Sequence, residues 1–66
     1  MDTIKILEEA IQSEQEAQAK YQQGAEEAED AKTRTMFKQL VEDEARHEKV
    51  LKERLKAVKL LKGISG

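Results

Sequence analysis

The stretch Phe37-Lys38-Gln39-Leu40-Val41-Glu42-Asp43-Glu44-Ala45-Arg46-His47-Glu48-Lys49-Val50-Leu51 decides the reading of this chain. Within it Phe37, Leu40, Glu44, His47 and Leu51 recur at alternating steps of three and four. Val58 and Leu61 continue the series, and Val41 and Leu55 widen it. That spacing puts them on one side of an α-helix. Nearer the N-terminus, Ile4, Leu7, Ile11, Glu14, Gln18, Tyr21, Ala25 and Ala28 form a second stripe of the same period. Glu14, Glu44 and His47 bring ionisable side chains into these two largely apolar stripes. Such a group in a seam loses its hydration, which costs several kcal/mol unless something compensates. A metal ion is the simplest explanation that serves all three.

The 66 residues make one small domain with little core, and no cysteine is present to staple it or to build a Cys-based zinc or redox site. Stabilisation beyond the core must come from self-association or a bound ion. Proline is absent, aromatics are few, and Ala, Glu, Gln, Lys and Leu abound, which favours long helices. No alternating β-branched run bounded by turns predicts a strand. No apolar stretch approaches a membrane span, and the N-terminus lacks the basic and apolar regions of a signal peptide. The expected location is the cytoplasm, away from membranes. The net charge of −2 hides a split: residues 1–30 carry nine acidic and two basic side chains, residues 31–66 five and ten. A basic half lying beside an acidic half reads as two helices that attract each other, not as a nucleic-acid-binding surface.

The fold expected is all-α: a helical hairpin over residues 1–62 and a flexible tail at 63–66. Helix one runs from about Thr3, capped by Asp2 or Thr3, to about residue 28. Asp30 caps a second helix from Ala31 to about Lys62, and the acidic run Glu26, Glu27, Glu29, Asp30 suits its positive end. Lys56, Lys59 and Lys62 suit its negative end, and Gly63 is the expected C-cap. Gly24, a rival break point, stays inside helix one as a kink or close contact, because ending there would strand Ala25 and Ala28.

Two helices joined by a short turn run antiparallel. Counted from a turn near residue 29 or 30, Glu14 lies about 15 residues before it, Glu44 about 15 after and His47 about 18 after. At 1.5 Å per residue all three stand roughly 22–27 Å from the turn, at one height in the hairpin. Independent interruptions had no reason to converge in this way.

Glu44-Ala45-Arg46-His47 is a Glu-x-x-His motif whose i, i+3 spacing places carboxylate and imidazole on one helix face. With a Glu from a facing helix it is half of a ferritin-like di-metal carboxylate site. Here the chain resembles the rubrerythrin and ferritin-like family. Glu14 stands seven residues before Tyr21, Ala28-Glu29-Asp30 looks like the turn, and Met36-Phe37, Leu40 and Asp43-Glu44-Ala45-Arg46-His47 look like the second helix. The resemblance spans roughly residues 4 to 60.

That resemblance implies a homodimer, since the family's domain has four helices and two half-motifs while this chain has one of each. The dimer would be a ferritin-like four-helix bundle holding two iron ions, with Mn or Zn as other occupants. Glu14 would be a terminal ligand, Glu44 a bridge between metals, and His47 a ligand to one of them. The implied activity is that of a di-iron oxidoreductase, a ferroxidase or peroxidase. It would oxidise Fe(II) or reduce hydrogen peroxide or dioxygen. The chain departs from rubrerythrins in having Ala17 where an extra glutamate would stand one turn after Glu14, and in lacking a cysteine-rich electron-transfer module. Electrons would come from Fe(II) or from an external donor. The alternative is a metal-free helical-hairpin interaction module.

Three neighbours of the ligands keep two readings each. Tyr21 is either packing or a hydrogen-bond partner of a ligand carboxylate. Gln18 is either an interface polar group or a support to a ligand. Asp43 is either a solvated acid or, as in related bundles, an acid that orients the ligand histidine across the interface. Glu48 reads as solvated face that sits near enough the seam to be a spare ligand.

Overall fold

A computed structural model describes residues 2–63. It contains two helices, α1 at Thr3–Glu27 and α2 at Ala31–Leu61, packed on each other as a hairpin. Each begins where an aspartate side chain replaces a missing intrahelical acceptor. Asp2 accepts from the Lys5 amide at 3.1 Å and Asp30 from the Thr33 amide at 2.8 Å. The turn is tied from the other side as well: the Arg34 guanidinium donates to the Ala28 carbonyl at 3.0 Å, satisfying an orphaned group at the end of α1. Ala28 is extended and caps α1, and Lys62 caps α2. Gly63, the expected cap, follows one residue past it at φ 74, its amide donating to the Leu60 carbonyl. The tail expected at 63–66 otherwise lies outside the described residues.

Gly24 stays within α1, and its reason lies on the other helix. A Cβ built there would come within 2.9 Å of the Phe37 ring, so the missing side chain lets α2 lay an aromatic face against the α1 backbone. Tyr21 stacks on the same ring, with centroids 6.2 Å apart and planes at 28°. This aromatic knot packs the half of the hairpin nearest the turn.

The rest of the seam is thinly covered. Ile11 is the one buried apolar side chain among the described residues, and the other stripe residues of α1 are half-buried. Leu61, expected in the seam, is exposed because α2 is six residues longer than α1 and overruns it by roughly 9 Å. Along α2 a second stripe flanks the seam: Met36, Asp43, His47, Val50, Arg54 and Leu61, at steps of seven, four, three, four and seven. Met36, Val50 and Leu61 on it are exposed. The expected attraction between an acidic and a basic helix is not carried by close Lys or Arg ion pairs. Among the described residues no Lys or Arg of α2 pairs with an acid of α1; the Arg46–Asp43 and Lys52–Glu48 pairs lie within α2. The opposite charges of the two helices sit on outer faces, where water screens them.

Candidate metal centre

The three polar interruptions come together as their spacing implies. Glu14 of α1 and Glu44 and His47 of α2 each offer a ligand atom, all within 4.8 Å of one another. His47 Nδ1 lies 3.4 Å from Glu14 Oε2 and 3.6 Å from Glu44 Oε2. The meeting has a simple geometric cause. Side chains lean toward their own helix N-terminus, so α1 residues reach away from the turn and α2 residues toward it. Glu14 therefore reaches His47 as well as Glu44, although His47 starts farther from the turn.

The trio is electrostatically unfinished. Glu14 and Glu44 side chains are only 21% and 19% exposed, whereas that of His47 is 58% exposed. His47 thus sits at the open edge of the seam, not within it as its spacing alone suggests. Two ionised carboxylates cannot donate to each other, and the buried Glu14 Oε2 has no hydrogen-bond partner. Contact with the Glu44 carboxyl, then burial and the Glu44 charge, pushes the Glu14 carboxyl above the ordinary range; His47 opposes this. Two carboxylates and one imidazole around an unpaired oxygen form a donor set that suits Fe, Mn or Zn.

Beside it lies a carboxylate in the opposite condition. His47 and Glu48 are consecutive, so they point about 100° apart on the helix, and Glu48 turns inward. Its Oε2 accepts from Lys52 Nζ at 2.7 Å and Gln15 Nε2 at 2.9 Å, and its Oε1 accepts from Gln18 Nε2 at 2.7 Å. The lysine first, then the two amides, hold its pKa down to about 2. Gln18 also donates to the main-chain carbonyl of Glu14 at 3.3 Å. Gln18 therefore joins α1 to α2 through Glu48 and does not support a ligand carboxylate directly. Gln15 and Lys52 escaped sequence reading. Lys52 carried a signal in its i, i+4 spacing from Glu48; Gln15 carried none, since its partner lies at a different count from the turn.

Asp43 is held on its own helix by Gln39 at 3.0 Å and by Arg46, and these bonds, the amide's foremost, lower its pKa. Tyr21 belongs to the aromatic knot. No described helix is long and apolar enough to cross a membrane.

The protein-family model Rubrerythrin matches residues 5–64. No curated protein and no solved structure matches the chain.

Proposed function

Since the chain belongs to the rubrerythrin family, whose members are usually oxidoreductases, we propose that it is a di-iron carboxylate oxidoreductase assembled from two copies. The observation that carries this reading is the partnerless Glu14 Oε2, facing Glu44 and His47 within ligand distance of one another. Apolar contact alone does not explain a buried carboxylate oxygen left bare; a cation does.

Glu14, Glu44 and His47 would hold the metal, His47 as neutral imidazole through a nitrogen lone pair. Two carboxylates per chain balance one divalent ion per chain, which offsets the Glu44 contact, the burial and the Glu44 charge that together raise the Glu14 pKa. Bound iron supplies two one-electron oxidations per pair, enough to turn hydrogen peroxide and two protons into two waters, or to begin the reduction of dioxygen. Within the chain no cysteine is available as a second redox group, so an external donor or Fe(II) itself would restore the reduced state.

The second copy is supported by where the trio sits. Glu14 is the twelfth of the 25 residues of α1, and Glu44 and His47 are the fourteenth and seventeenth of the 31 of α2. A two-fold axis across the helices at this mid-level would overlay the hairpins along their length and join the two trios. It would also cover the stripe of Met36, Val50 and Leu61, which the single hairpin leaves to water. The product is a four-helix bundle with six protein ligands. By the family pattern Glu44 would be shared between the two metals and Asp43 would orient the ligand histidine across the interface. A cytoplasmic location is part of the same reading.

The test is an anaerobic Fe(II) titration of metal-free protein with the oligomer mass measured on the same sample. The expected result is saturation at about one iron per chain in a dimer. No binding above background would leave a metal-free helical interaction module.

A further inference from the structure

Glu48 poses a question that the metal-centre reading leaves open, and its answer rests on that reading. It stands four residues after Glu44 and one after His47, so a third carboxylate lies within a side chain's swing of any ion those two hold. Yet it is turned away and fully engaged. Three donors converge on its two oxygens, two of them from α1 and one from Lys52. The two α1 donors are not placed at random. Gln15 immediately follows Glu14, and Gln18 bonds simultaneously to Glu48 and to the Glu14 carbonyl. Among the described residues these are the amide bonds that cross between the helices, and they attach α2 to the turn of α1 that carries Glu14.

We propose that Glu48 is a positioning residue: clamped by Gln15, Gln18 and Lys52, it sets the rotation of the Glu14 turn against Glu44 and His47 and is itself withheld from the metal. A seam this thinly packed does not hold α1 at a fixed rotation by shape alone, since only Ile11 is buried among the described residues. A directional bond to each of two consecutive turns of α1 does so. Withholding Glu48 also keeps the donor count at two carboxylates per ion. A third would leave a surplus negative charge on each half-site, desolvated in the seam.

The experiment uses the full chain stripped of metal, with Co(II) alone as probe, read by its visible absorption and by its dissociation constant. Four proteins are compared: wild type, Glu48→Ala, Glu48→Gln, and Gln15→Ala/Gln18→Ala, each with its metal-free melting temperature. Glu48→Ala and the double glutamine variant are expected to weaken Co(II) at least tenfold. Glu48→Gln, whose amide oxygen still accepts from Gln15 and Lys52 and whose NH2 donates to the Gln18 amide oxygen once that amide turns over, is expected to stay within about threefold of wild type with an unchanged spectrum. Equal weakening in Glu48→Gln and Glu48→Ala, with unchanged or tighter binding in Gln15→Ala/Gln18→Ala, would make Glu48 a ligand and overturn the proposal. Wild-type affinity in Glu48→Ala would overturn it too, leaving a purely structural contact. Failure of wild type itself to bind Co(II) is a different result, one that removes the metal-centre reading beneath.

Discussion

Two neighbouring carboxylate sites in this hairpin meet opposite fates. Glu48 receives three donors, both oxygens are used, and its pKa falls to about 2. Glu14, on the facing helix, meets another carboxylate, keeps an oxygen without a hydrogen-bond partner, and has its pKa raised. Both are half-buried glutamates in one seam of one small fold. The difference is not burial but completeness. The sequence supplies Gln15, Gln18 and Lys52 for one site and, for the other, only groups that need a cation between them. Where a chain able to satisfy one half-buried carboxylate leaves the next one bare, the bare one is where the proposed metal would sit.

The contrast between the two carboxylates breaks most visibly if metal is without effect. A ligand at a hundred times its dissociation constant adds about 2.7 kcal/mol, a rise on the order of 10–20 °C for a domain of this size. Fe(II) or Mn(II) is expected to raise the melting temperature by about that much, and Glu44→Ala to abolish the rise while leaving the metal-free protein as stable as wild type or more so. A rise that survives Glu44→Ala would move the metal elsewhere.

A smaller effect serves as the control. Gly24→Ala gains about 1 kcal/mol of helix propensity but drives a Cβ to 2.9 Å from the Phe37 ring, and such overpacking costs about 1–3 kcal/mol. The net expectation is a loss of about 1 kcal/mol in thermal denaturation with the metal-to-chain ratio unchanged, because the aromatic knot touches neither polar site. A changed ratio would mean that the turn-proximal packing and the trio are coupled.

The smallest effect is the most diagnostic, since the two sites titrate with opposite sign. Glu48, held below its unfolded value of 4.5, contributes stability that is complete above that value and is lost as the pH falls toward 2. Glu14, held above 4.5, makes the metal-free fold gain stability as the pH falls through its raised value toward 4.5. Denaturation midpoints measured against pH in a chelator are expected to rise and then fall on acidification. Glu14→Gln should flatten the rise and Glu48→Gln the fall. A single monotonic limb would show that the two carboxylates do not differ in this sense.

Sequence alone reached the helices, the Asp30 cap and the convergence of Glu14, Glu44 and His47, because each follows from periodicity or from counting along one helix. It stopped where the answer depended on how one helix is rotated against the other. Spacing put His47 in the seam, yet the structure sets it at the edge, on the same flank as Met36 and Val50. Spacing left Glu48 at the margin, where the lean of side chains toward their helix N-termini instead brings it under Gln15 and Gln18. Gly24 reads in sequence as a kink or a close contact, and only Phe37, thirteen residues on, identifies which. The opposing helix charges were legible as a sum, but their placement on outer faces was not.

One consequence of the thin seam concerns supply. With Ile11 alone buried among the described residues, the dimer proposed above would hold much of its interior in common across the Met36–Leu61 stripe. For the proposed dimer, dilution would then be a denaturant in its own right, with the folded fraction set by how much of the chain is present as well as by temperature or urea.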